Sequence, residues 1–143
     1  MDVLKNKIDI ELFLLCYNEQ KMIPHALNYY AKFCNRITIF DNDSTDNSVE
    51  LIHDFDQNIR VLRLDSNGEH REDLLIETRN NCWKESTADY VIVCDMDEFL
   101  YDEFLVEKLL LSKERKIAIP IIVGYNMRAT RFPDDYSTLI TKQ

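Results

Sequence analysis

The chain has 143 residues, only two of them glycine and three proline, with 17 basic against 26 acidic side chains and a formal net charge of -9. That length suits one domain with a buried core, and 45% hydrophobic with 30% charged residues suits a globular chain rather than a disordered one. Gly68 and Gly124 cannot between them supply a Walker A loop or a dinucleotide fingerprint, and so acidic a surface repels a polyphosphate backbone, which excludes nucleic acid as an expected partner.

Ile8 to Leu15 predicts a first strand, in which Leu12, Phe13, Leu14 and Leu15 run continuously enough to be buried on both faces. A helix is expected over Gln20 to Phe33, because Met22, Ile23, Ala26, Leu27, Tyr30 and Phe33 recur at helical spacing and Pro24 falls in the first turn. A second strand, Arg36 to Phe40, runs into the polar loop Asp41-Asn42-Asp43-Ser44-Thr45, followed by a short helix with Val49, Ile52 and Phe55 on one face. That loop begins like a calcium loop, but the glycine and glutamate an EF-hand requires are replaced by Asp46 and Ile52. Ser44, Thr45 or Asp46 is instead expected to cap the helix behind it, while Asp41 points into the crevice.

The third strand, Arg60 to Leu64, alternates charge and aliphatic as an edge strand does. The helix predicted over Arg71 to Glu85 carries Leu75, Arg79 and Trp83 in one row, so Arg79 either snorkels out of an apolar face or reaches an anion. The fourth strand, Tyr90 to Cys94, is wholly apolar and stops at Asp95-Met96-Asp97-Glu98. A helix over Phe104 to Leu111 and a fifth strand over Ile117 to Val123 complete the pattern, and Gly124 to Gln143 shows weak periodicity.

Cys16, Cys34, Cys82 and Cys94 form no CxxC pair and read as reduced thiols packed like small hydrophobes. No apolar run is long enough to span a membrane and no signal-peptide pattern opens the chain, so a cytoplasmic protein without a membrane segment is expected. His25, His53 and His70 have no regular spacing and read as surface or helix-face residues, and no Gly-x-Ser-x-Gly elbow supports a serine hydrolase.

Successive strand–helix units imply a single α/β domain over residues 1–143, a parallel sheet covered by helices on both faces. An order of 3-2-1-4 places the continuous first and fourth strands centrally and the third at an edge, with ligands at the strand carboxyl ends. There the polar clusters collect: Cys16-Tyr17-Asn18-Glu19, Asp41 to Asp46, Asp65-Ser66-Asn67 and Asp95 to Glu98. Carboxylates crowded on one sheet edge need a cation. Asp95 and Asp97, two hard oxygen donors just past a buried strand, suit Mg²⁺ or Mn²⁺ completed by phosphate oxygens and water.

Phe13-Leu-Leu-Cys-Tyr-Asn-Glu-Gln, Ile39-Phe-Asp-Asn-Asp-Ser-Thr-Asp-Asn-Ser, Thr78-Arg-Asn and Ala88-Asp-Tyr-Val-Ile-Val-Cys-Asp-Met-Asp-Glu-Phe, in that order and spacing, resemble family-2 glycosyltransferases of the GT-A fold, in the branch whose metal motif reads Asp-x-Asp-Glu-Phe. The resemblance implies a Rossmann-like three-layer sandwich and an inverting, metal-dependent transferase that moves a sugar from a nucleoside diphosphate, UDP above all, to an acceptor hydroxyl. It implies that Cys16, Tyr17, Asn18 and Glu19 line the nucleotide pocket, that Asp41 hydrogen-bonds the uracil or ribose, and that Arg79 lies near the nucleotide. Asp95 then faces ribose and metal, Asp97 ligates Mn²⁺ or Mg²⁺, and Glu98 supports the site or belongs to the acceptor side.

The sequence departs from the family pattern at Cys16, where proline is common, and at Asn42-Asp43, where Asp-Gly is usual. The general base of such enzymes normally lies well downstream of the metal motif. Asp134 and Asp135 are the only late aspartates here, and part of the acceptor-binding segment is expected to be lacking. The alternative expectation is a truncated, non-catalytic nucleotide-binding or structural module of the same fold.

Overall fold

The computed structural model describes residues 7–67 and 71–126. They form strands β1 (Ile10–Cys16), β2 (Arg36–Asp41), β3 (Arg60–Arg63) and β4 (Tyr90–Asp95), alternating with helices α1 (Ile23–Tyr30), α2 (Ser48–Phe55), α3 (Glu72–Asn81) and α4 (Leu105–Glu114). All pairings are parallel and the order is β3-β2-β1-β4, as expected. No helix among the described residues is long and apolar enough to cross a membrane.

Strand alternation sorts the two faces of β1. Ile10, Leu12, Leu14 and Cys16 enter one core cluster with Ile23, Ala26, Leu27 and Tyr30 of α1, Ile52 of α2, and Val106 and Leu109 of α4. On the other face Phe13 stacks on Phe40 with ring centroids 6.4 Å apart. α3 covers this second face thinly. None of its residues is buried, and a cavity of about 290 Å³ remains between Phe13, Phe40, Leu62 and Cys82. The row Leu75, Arg79, Trp83 therefore does not seal the sheet as its spacing predicts; Trp83 is largely exposed.

The region after α4 also differs from expectation. Residues 117–126 form no strand, and Ile119, Ile121, Ile122 and Val123 lie open to solvent. Pro120 removes a ladder donor from the middle of this run. Among the described residues β4 is therefore an edge strand rather than a central one, and Ile92 is its one buried residue.

The start of β1 is tied to the approach to β4 and to the end of α4 through Asp89. Its Oδ2 accepts from the Asp9 backbone N–H at 2.9 Å and from Lys113 Nζ at 2.6 Å. The Asp9 amide first, and the Lys113 ammonium second, hold the Asp89 carboxyl below the usual carboxylate range. A carboxylate lowered in the folded state stabilises the fold above its unfolded-state pKa, and that contribution is lost as pH falls through the folded value. Asp89→Asn is accordingly expected to lower the thermal midpoint at neutral pH, and the gap to the native chain should close in acid. A gap that widens on acidification would contradict this assignment.

Candidate functional site

The parallel register brings the carboxyl ends of the strands to one edge. Cys16 pairs with Asp41, Asp41 with Arg63, and Leu15 with Asp95. The ladders extend one step further, with Asn42 N–H donating to the Cys16 carbonyl at 2.8 Å, Leu64 N–H to Asp41 at 2.8 Å and Met96 N–H to Leu15 at 2.9 Å. Loops leaving the sheet there start from a rigid frame, which is what precise placement of polar side chains requires.

The first two loops are zipped together. Asn18 takes a positive φ of 55°, which Asn tolerates better than most residues. Its backbone N–H donates to Ser44 Oγ at 2.9 Å, and its side-chain oxygen accepts from Thr45 N–H at 2.7 Å and Asp46 N–H at 3.3 Å. Glu19 N–H donates to Ser48 Oγ at 2.9 Å and Gln20 N–H to Asp46 Oδ2 at 3.2 Å. Asp46 also accepts from Ser48 N–H at 3.0 Å. Of the three expected caps, it is therefore Asp46 that serves the amide opening α2. The Asn18 amide oxygen is thus occupied in holding the second loop, while Tyr17 beside it is exposed.

Within this frame Asp41 is 4% exposed. Its Oδ2 accepts from Ser44 N–H at 3.2 Å, whereas Oδ1 is buried without a hydrogen-bond partner among the described residues. Burial first, and the nearby Asp41 charge second, push the Cys16 thiol up to about 12. Cys16 therefore remains protonated at neutral pH and acts as a small packing residue rather than a nucleophile.

Asp43, where the resemblance implies glycine, also adopts a positive φ, of 58°. Its carboxylate accepts from Arg63 Nε and, at 2.7 Å, from Ser66 Oγ. This clamp from the second loop to the end of β3 was not foreseen from sequence; the only signal was a basic residue closing an alternating edge strand.

The fourth strand end supplies the remaining carboxylates. Met96 is fully buried, which turns the flanking Asp95 and Asp97 outwards. Arg79 takes neither sequence-predicted route alone: its Nη2 donates to Asp95 Oδ1 at 2.6 Å, with both side chains 38% exposed. Glu98 supports the turn, its Oε2 accepting from Asp95 N–H at 3.0 Å and its own N–H donating to the Asp95 carbonyl at 3.0 Å. Asp97 is exposed. Burial raises the Glu19 carboxyl above its ordinary range, and the negative charges of Asp97, Asp46 and Asp95 raise it further. The crowding of carboxylates anticipated from sequence is thus present at this edge. Asp134, Asp135 and His70 lie outside the described residues.

A model of the family described as Glycosyl transferase family 2 matches residues 12–142. Residues 1–349 of S. aureus TarS share the fold with a TM-score of 0.59 and 22% sequence identity, over 76% of this chain and 33% of that one. A second S. aureus TarS structure matches with the same score and identity over 76% of this chain and 20% of its own. Glucosyl-3-phosphoglycerate synthase from Mycobacterium tuberculosis, solved with Mn²⁺, UDP and glucosyl-3-phosphoglycerate, gives a TM-score of 0.48 and 17% identity over 77% and 41% of the two chains. No curated protein sequence matches the chain. The chain thus spans 33% of the TarS 1–349 structure, and what it shares with that structure is the GT-A fold. The family match takes in all four loops at the strand carboxyl ends, and on that match the chain belongs to glycosyl transferase family 2.

Proposed function

We propose that the chain carries the donor site of a metal-dependent, inverting glycosyltransferase, which binds a UDP-linked sugar and presents it to an acceptor hydroxyl. The observation that carries this reading is the buried, unpartnered Oδ1 of Asp41. An unpaired buried acceptor costs about 1–3 kcal/mol, more when charged, and the ring N–H of uracil is a donor that satisfies it. Cytosine offers an acceptor at the same ring position. Tyr17, exposed next to Cys16, supplies a flat surface for the base at this edge.

The donor set fits a metal shared with substrate. Among the described residues no group of three or more His, Cys, Asp or Glu side chains is assembled for a metal. Asp97 and Asp95 offer a partial shell of hard oxygens, the arrangement in which a divalent ion takes its remaining ligands from phosphate and water. Asp97 and Asp95 would hold Mn²⁺ or Mg²⁺ there, and the ion would supply positive charge to a diphosphate leaving group. Asp41 orients the base, the loop zipper through Asn18 keeps Tyr17 and Asp41 in fixed relation, and Arg79 holds Asp95 while bringing a second cation to the diphosphate side.

Calorimetric titration with UDP and CDP, each with Mn²⁺ and with EDTA, tests the proposal. UDP is expected to bind about tenfold or more tighter than CDP, and Mn²⁺ to strengthen UDP binding. Equal affinities for the two nucleotides, or none for either, would overturn it.

A further inference from the structure

Residues 96–104 have no strand or helix to satisfy their backbone, so the segment bearing Asp97 must find its hydrogen bonds elsewhere. Besides the ladder bond of Met96 and the turn at Glu98, three of them are made with the tyrosines of α1. Tyr30, fully buried at the end of that helix, donates its hydroxyl hydrogen to the Glu98 carbonyl at 3.0 Å. The same hydroxyl accepts from Leu100 N–H at 3.0 Å. Tyr29 adds a third bond, donating to the Leu100 carbonyl at 2.7 Å. Phe99, between the two clamped residues, is stacked on the Tyr30 ring at 6.1 Å and meets Tyr29 edge-on at 5.5 Å.

We propose that the Tyr30 hydroxyl is a positioning residue for the Asp97 turn: it fixes the Glu98 and Leu100 backbone, and through Glu98 the geometry at which Asp95 and Asp97 are presented to a divalent metal and its diphosphate. This rests on the donor-site reading above and adds a residue to it. The chain of contacts is continuous, since the same Glu98 whose carbonyl Tyr30 holds also closes the turn onto Asp95 N–H through its carboxylate. Packing alone does not require the hydroxyl, because a phenylalanine ring fills the same space against Phe99 and Phe33. Burial raises the Tyr30 pKa well above the ordinary tyrosine value, so the hydroxyl keeps the proton it donates. Partners of this kind, one step behind the ligands, typically change metal affinity by about 10–100-fold when removed.

Tyr30→Phe keeps the ring and deletes the clamp. Two readouts separate positioning from general loosening: amide hydrogen exchange at residues 96–100, and UDP affinity with Mn²⁺ against UDP affinity in EDTA. The expected result is exchange at Glu98 and Leu100 faster by about tenfold or more, with β1 and β2 unchanged, and Mn²⁺-dependent UDP affinity weakened about tenfold while the EDTA value is preserved. Tyr29→Phe, which removes one peripheral bond, should give the same pattern more weakly and serves if Tyr30→Phe does not fold. Unchanged exchange at Glu98 and Leu100, or equal losses of affinity with and without metal, would overturn the proposal. A native chain whose UDP affinity ignores Mn²⁺ overturns the metal reading of the site instead, and the exchange data then judge the clamp alone.

Discussion

In an Asp97→Asn variant, Mn²⁺ is expected to lose its effect on UDP binding, with affinity in Mn²⁺ falling on the order of 100-fold to meet the value in EDTA. Asp97 is exposed, and no hydrogen bond or ion pair engages its carboxylate among the described residues. The substitution therefore removes a charge and almost nothing structural. It also relieves part of the like-charge field that, after burial, raises Glu19, so the thermal midpoint should hold or rise slightly. Titration calorimetry gives the first quantity and a thermal melt the second. Retention of the native Mn²⁺ response by this variant would move the metal away from Asp97. A fall in the melting midpoint together with lost binding would instead assign Asp97 a structural role that its exposure does not support.

Leu14→Ala is expected to have the largest effect on the fold, destabilising it by about 3–5 kcal/mol. Leu14 is fully buried in β1, where it lies in register with Ile39 on one side and Cys94 on the other. Truncation there leaves a void bounded by two neighbouring strands and α1, and a sheet held by ladders on both sides cannot collapse to fill it. Since domains of this kind are stable by only about 5–15 kcal/mol in total, the variant should unfold at much lower urea with an unchanged slope. Ile121→Ala is the matched control. Ile121 is 98% exposed, and its loss should change stability by no more than about 0.5 kcal/mol. Equal effects at the two positions would mean that the core does not centre on β1.

Both expectations draw on what could be read from sequence. The continuous run at Leu12 to Leu15 identified the innermost strand, and alternation in β3 identified an edge, because periodicity reports burial directly. The polar strand ends were legible for a related reason: in a parallel sheet they must share one edge. Other features required contacts that no local pattern encodes. Tyr30 sits at helical spacing and reads as core, which it is, and its neighbour Tyr29, outside that row, is buried as well. Their hydroxyls meet a turn about 70 residues later, as the Tyr30 donation to Glu98 shows. Asn18 reads as a ligand candidate in a polar loop, yet its amide oxygen is taken by Thr45 and Asp46.

The fifth strand was misread for a different reason. Ile117 to Val123 has the composition of a buried strand, but composition cannot supply a neighbour to pair with, and Pro120 weakens the ladder it would make. Among the described residues nothing pairs with the outer side of β4, and this apolar strand is only partly buried.

That uncovered edge has a bearing on how the isolated chain behaves in a test tube. Among the described residues no strand pairs with the outer side of β4, and beyond α4 Ile119, Ile121, Ile122 and Val123 stand in solvent without a charge among them. An open strand edge beside an uncharged, isoleucine-rich run is the combination that drives intermolecular sheet growth. Among the described residues this corner is the one most suited to self-association, and the net charge of -9 opposes it by repulsion between molecules.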